Sequence, residues 1–208
     1  SKNTGVQINN YSGKIPSERE IDILKRIARV FEQAYTRFLD LQNAEAQARE
    51  AQIEAALERV RAASMAMHNS KELVNVSTVL YKQLISLGFD SVFSGGFNFP
   101  DKENNVQKCW LAETEHGIMN DFVIKLSGDK VLDERIECRE KNVPFLEQIL
   151  SGREIREHLD FLFPPDQDTP EVKASKDAMP VPTVFSIRYL KEGYMILISD
   201  APLNEEQK

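Results

Sequence analysis

Apolar residues recur from Ser17 to His68 at alternating steps of three and four, and neither Gly nor Pro interrupts them. Pro16 precedes the run, and Ser17-x-x-Glu20 has the form of a capping box, in which each side chain bonds the other residue's amide. The spacing therefore predicts one helix of about 50 residues, roughly 75 Å long at 1.5 Å per residue. Its first third carries Leu24, Ile27, Phe31, Ala34, Phe38 and Leu41, with Ile23, Val30, Tyr35 and Leu39 widening the face. The middle thins to Leu41, Ala44, Ala48, Ala51 and Ala55. A second stripe of Ile53, Leu57, Val60, Ser64 and Met67 runs out of phase with the first, as a stutter in a coiled coil does. Such a helix outruns the surface of a body of about 140 residues. The pattern thus predicts a parallel coiled coil between two copies of the chain, with its seam at Leu24, Ile27, Phe31, Phe38, Leu41, Ala44, Ala48, Ala51, Ile53, Leu57, Val60 and Met67. Small residues in the middle of that seam bury little area and leave it able to shift.

Beyond His68 the pattern shortens. Asn69 or Ser70 starts a second helix, whose face of Leu73, Val76, Val79, Leu80, Leu84 and Leu87 ends before Gly88. Strands are predicted over Ser91 to Phe99 and Val106 to Glu113, joined by the polar turn DKENN, and over Asp121 to Ser127, Val184 to Leu190 and Tyr194 to Ile198. Helices are predicted over Lys130 to Asn142, Arg153 to Phe163 and Thr169 to Met179. The fold class is α+β: a long N-terminal helix followed by a body built on a mostly antiparallel sheet of about five strands. Gly95-Gly96 inside the first strand mark a bulge or a close packing contact, since no Lys-Ser/Thr follows to make a phosphate loop.

Charge narrows the partners. The net charge is −7, and Lys and Arg form no basic stripe, which excludes non-specific binding to nucleic acid or to an anionic membrane. From Ser17 to Asn69 nine acids and eight bases interleave, as on a solvated coiled-coil face. No apolar run approaches the roughly 20 residues a spanning helix needs. Cys109 and Cys138 are too few for a disulfide scaffold and read as reduced thiols in a cytoplasmic protein.

Few residues carry candidate chemistry. His68, in SMAMHNSKEL, lacks the acid that follows a phosphoacceptor histidine and reads as a capping or surface residue. The three histidines at 68, 116 and 158 share no metal-ligand spacing, and no metal site is expected. Glu113, Glu115 and His116 sit where strand gives way to loop and read as a solvated turn. Nucleophile, base and orienter do not occur as a set, so no catalytic residues are assigned. A ligand, if bound, belongs on the concave face of the sheet under the segments between Gly128 and Pro182, with Trp110, Phe122, His158, Arg188 and Tyr189 as candidate contacts. Trp110 and Cys109 face opposite sides of their strand, and Trp110 is placed by preference against the second helix. The proline-rich, charged stretch from Pro164 to Pro182 is a lid or a loop.

The run VFEQAYTRFLDLQNAEAQAREAQIEAALERVRAASMAMHNSKEL resembles the signalling helices that join GAF-like sensor domains in bacterial multi-domain receptors of the histidine kinase and cyclase type. SLGFDSVFSGGFNF, KCWLAETEHG and YLKEGYMILIS look like parts of such a GAF-like domain. The resemblance implies a non-catalytic sensor fragment of a two-component-type receptor that passes a signal along a dimeric helix. The alternative is a structural dimerisation spacer without a ligand. Bilin-binding relatives use Cys followed by His, whereas Cys109 precedes Trp110 and Cys138 precedes Arg139; the Asn-Lys-Phe-Asp-Glu set of cyclic-nucleotide relatives is missing too. The resemblance therefore names no cofactor and leaves any small-molecule ligand unidentified. The opening INNYSGKIPSEREID and the closing ILISDAPLNEEQK share their punctuation. This predicts residues 1–16 as the tail of an upstream domain or linker, 17–69 as the signalling helix, and 70–208 as a sensor domain lacking its exit helix.

Overall fold

The computed structural model describes residues 5, 7, 9, 11, 13–112, 114 and 121–207. The chain divides into two compact units, Ser1–Glu54 and Ala55–Lys208. Glu113, Glu115 and His116 lie outside the described residues.

Helix α1 spans Glu18–Met65. The capping box is present: the Ser17 amide donates to Glu20 Oε2 at 2.7 Å, and the Glu20 amide donates to Ser17 Oγ at 3.4 Å. Within the first unit Ile27, Phe31, Phe38 and Leu41 are exposed, and the Tyr35 and Phe38 rings stack 6.4 Å apart. Leu24 is half-buried, while Ala44, Ala48 and Ala51 are exposed.

The second unit takes up the last turns of α1. Ala56 is buried and Val60 and Met67 are half-buried, whereas Leu57 is exposed. Arg59 donates from Nη1 to Gln83 Oε1 at 2.9 Å, which ties these turns to the next helix, α2, over Leu73–Ser86. A 3₁₀ turn, Ser70–Glu72, precedes α2, and the Asn69 side chain caps it by accepting from the Lys71 amide. Gly88, at φ +88°, ends α2 in a Schellman motif. There the Gly88 amide donates to Ile85 O at 3.0 Å and the Phe89 amide to Leu84 O at 3.1 Å.

Six strands follow: β1 Val92–Asp101, β2 Val106–Leu111, β3 Asp121–Lys125, β4 Phe145–Leu150, β5 Thr183–Tyr189 and β6 Tyr194–Ser199. They form one sheet in the order β3-β2-β1-β6-β5-β4, antiparallel at every pairing. Three helices accompany them: α3 Lys130–Glu140, α4 Gly152–Leu162 and α5 Pro170–Ala178. Each starts on a residue suited to accept backbone N–H bonds: Asp129 for α3, Ser151 in a capping box with Glu154 for α4, and Thr169 followed by Pro170 for α5. The fold is therefore α+β, a long N-terminal helix followed by a six-stranded antiparallel sheet.

Strand β4 is the element the hydrophobic pattern does not announce. In FLEQIL Gln148 and Leu150 are buried while Ile149 between them is exposed, so a polar residue points inward and an apolar one outward. Because β3 and β4 are opposite edges, the chain crosses the sheet between them and lays α3 over one face. There Val131 of α3 and Ile155 and Leu159 of α4 pack on Leu111, Ile187, Ile196 and Ile198. On the other face Tyr81, Leu84 and Ile85 of α2 pack on Val92 and Leu197.

The paired glycines of β1 are a packing contact. The register irregularity between β1 and β6 lies at Val92/Ser94, before the glycines. A Cβ on Gly96 would stand 1.9 Å from Trp110 O and 2.8 Å from Leu111 Cα, both main-chain atoms that cannot swing away. At Gly95 the nearest atom is the Leu197 side-chain Cδ2. Gly96→Ala is accordingly expected to cost about 3 kcal/mol and Gly95→Ala roughly half as much. Urea unfolding of both variants checks the order, which equal losses would contradict.

Candidate functional site

Strand alternation brings a polar set onto the face covered by α3 and α4. Asn98 of β1 pairs with Cys109 of β2 on one side and Tyr194 of β6 on the other, so all three project together. Gln107 and Leu111 share the face with Cys109, and Gln148 of β4 pairs with Phe185 of β5. Above them lies Arg135, which enters the core because Val131, Leu132 and Arg135 occupy one face of α3.

Arg135 is 5% exposed. Its Nε donates to Gln148 Oε1 at 2.8 Å, and its guanidinium lies over the Phe185 ring, 4.6 Å from the centroid. Gln148 is fixed in turn, donating from Nε2 to Val131 O at 3.0 Å and to Glu134 Oε2 at 2.7 Å. Tyr189 donates its hydroxyl to Arg135 O at 2.7 Å, and Tyr194 donates its own to Gln107 Oε1 at 2.6 Å. Among the described residues, three buried atoms of the set have no hydrogen-bond partner: Arg135 Nη2, Asn98 Oδ1 and Gln107 Nε2. No carboxylate among the described residues forms a salt bridge with Arg135.

Beside this network is a cavity of about 60 Å³, lined by Asn98, Cys109 and Arg135 and by apolar side chains that include Phe122, Phe163 and Met179. A neighbouring void of about 20 Å³ touches Arg135, Gln107, Tyr189 and Tyr194. His158 of α4 lines the cavity and also the surface groove outside it, so it forms part of the wall between them. It is 3% exposed and hydrogen-bonds through Nδ1 to Asp129, whose other bond, from the Leu132 amide at 2.8 Å, caps α3. One carboxylate thereby fastens α3 to α4.

Burial lowers the His158 pKa more than the bond to Asp129 raises it, while the Arg135 charge lowers it further. Burial acts the other way on Asp129, but the His158 bond, the Leu132 amide and the Arg135 charge together hold its pKa below the ordinary value. The pair is thus neutral imidazole donating to carboxylate. Burial pushes the Cys109 thiol up to about 12, so it offers no thiolate. Cys109 and Cys138 are both free. No group of three His, Cys, Asp or Glu able to hold a metal ion occurs among the described residues.

Of the residues singled out in the sequence, Phe122 and His158 meet in the cavity, the former edge-on to Phe163 at 5.6 Å. Tyr189 stands on the same face beside the smaller void. Trp110 and Arg188 point to the opposite face, since each is next in the chain to a residue facing the cavity side. The Trp110 carbonyl accepts from Ser77 Oγ of α2 at 2.9 Å, and its ring meets Phe99 at 5.7 Å. Arg188 is exposed and pairs with Phe145 and Met195. His68 is exposed at the end of α1, where its amide donates to Glu72.

Sequence reasoning passed over Arg135, Asn98, Gln107, Gln148 and Asp129. The signal for Arg135 is its step of four from Val131, which puts a charge on the buried stripe of a helix. Gln107 carries a period-2 signal, through the even spacing Gln107, Cys109, Leu111. Comparison with protein-family models, curated proteins and solved structures gives no match.

Because the native pKa of His158 lies below its ordinary 6.5, the unfolded chain takes up a proton that the folded chain refuses once pH falls through that value. Stability is expected to fall from pH 7 towards pH 5, by at most about 1.4 kcal/mol per unit for this one proton. Asp129 adds its loss only below its ordinary 3.8. His158→Gln should flatten the slope between pH 7 and 5 in urea titrations; an unchanged slope would contradict the assignment.

Proposed function

We propose that the chain is a non-catalytic sensing and signal-transmitting fragment of a cytoplasmic two-component-type receptor, with a GAF-like body and a dimeric signalling helix. The observation that carries this reading is the cavity, a space lined by Asn98 and Arg135 together with apolar side chains, beside a network of buried polar groups. A concave, mostly apolar space with a few polar residues in its lining is the usual form of a small-molecule site. The six-stranded antiparallel order supports the GAF-like assignment. No helix among the described residues is long and apolar enough to cross a membrane.

The exposed apolar stripe of α1, with Ile27, Phe31, Phe38 and Leu41 facing water in a single chain, supports burial against a second copy. Occupancy of the cavity would shift the body between two packings and bias the register of the paired helices. A seam of Ala44, Ala48 and Ala51 suits this, because so little area holds either register. The output of the whole receptor would be a histidine kinase or a cyclase.

Native mass spectrometry of the purified protein tests the sensing role. A dimer carrying a stoichiometric small molecule is expected, whereas a ligand-free dimer that no metabolite fraction alters would leave a structural spacer. Spin labels at Lys25→Cys, in a Cys138→Ser background, test the helix pairing. Parallel helices in register about 10 Å apart keep the labels within roughly 30 Å. An antiparallel pair centred on α1 would separate them by more than about 40 Å, given 1.5 Å per residue.

A further inference from the structure

We infer that the cavity takes an uncharged, hydrocarbon-like molecule of about two or three carbons, held by packing contacts rather than hydrogen bonds. This rests on the sensing role proposed above and names the ligand class of that same site.

The polar residues of the wall turn their polar ends away from the space. Asn98 and Arg135 line the cavity, yet Asn98 Oδ1 and Arg135 Nη2 are closed off even from water. Both side chains reach instead towards the Tyr194 hydroxyl, which borders the smaller void and does not line this cavity. Arg135 Nε is spent on Gln148 and His158 Nδ1 on Asp129, and neither partner lines the cavity. Cys109 stays protonated and counts as a small apolar group. What the cavity presents is therefore mostly carbon, from Phe122, Ile124, Phe163, Met179 and Ile198 among others. A charged or hydrogen-bonding ligand would leave water for a wall that returns few bonds, and the desolvation of its polar groups would go unrepaid. Water itself is a poor occupant for the same reason, since it needs two to four polar partners.

Size sets the rest. Benzene occupies an apolar cavity of about 150 Å³, roughly 25 Å³ per carbon, so a space of about 60 Å³ suits two or three carbons. An occupant of that size restores dispersion contacts that the aromatic and aliphatic walls lack across an empty gap. It also touches three parts of the body at once: Phe122 lies on β3, Leu162 on α4, and Met179 directly follows α5.

Propane, ethanol and sodium acetate separate the possibilities. The first two have the same number of non-hydrogen atoms and differ in one hydroxyl; the third adds a charge. Each is titrated, propane under pressure, into full-length protein labelled at its Met and Ile methyl groups. Propane is expected to shift the Met179, Ile196 and Ile198 signals saturably and to bind at least about tenfold more tightly than ethanol, with acetate leaving those signals in place. Nuclear Overhauser contacts from propane to the same methyl groups locate it in the unaltered protein, and Leu162→Phe, which fills the space, should abolish them. Ethanol or acetate binding as tightly as propane would overturn the ligand class and leave the sensing role standing. Propane without contacts to these methyl groups would overturn it too. Propane seated in the cavity with no change in the separation of spin labels at Lys25→Cys would uphold the ligand class and remove the signalling role instead.

Discussion

The body is organised around a cation in the wrong solvent. Arg135 sits at a helix position where the hydrophobic stripe calls for an apolar residue, and the surrounding side chains are arranged to hold it. Gln148 accepts from its Nε, Phe185 supplies a π face, and Tyr189 locks the carbonyl of the same residue. A buried charge held by so few neutral contacts is costly, of order several kcal/mol, unless something completes its shell. The same residue lines the cavity, and the proposed sensing role follows from the coincidence of the two.

Topology explains how the groups come together. Crossing from the β3 edge to the β4 edge drapes α3 over the sheet, so that Arg135 reaches across to Gln148 on the far edge strand. The antiparallel registers then set Asn98, Cys109 and Tyr194 side by side beneath it. Asp129 serves two helices at once, capping α3 and orienting His158 on α4. A displacement of either helix would therefore be felt by the other and by the cavity wall, a contiguous path by which an occupant could alter the body.

Elements with strong periodicity were legible in the sequence. The capping box at Ser17, the Schellman end at Gly88 and five of the strands follow from local rules that tertiary contacts only reinforce. Strand β4 was not legible, because Gln148 turns inward to serve Arg135 while Ile149 faces out, a local pattern overruled by a contact 13 residues away. The same overruling hid the site. Aromatic and histidine side chains drew attention to Phe122, His158 and Tyr189, which do lie on the cavity side, but alternation sends Trp110 and Arg188 to the opposite face. Arg135 and Asn98 looked like ordinary polar residues, and only the three-dimensional register reveals that they are buried and unsatisfied.

The proposed sensing role requires that the cavity beside Arg135 hold a molecule the chain does not itself provide. A high-resolution crystal structure of the protein as purified from its expression host measures this directly. Density for a non-solvent molecule inside the cavity bounded by Asn98, Arg135 and Met179 is the expected result. A cavity holding only water would contradict it.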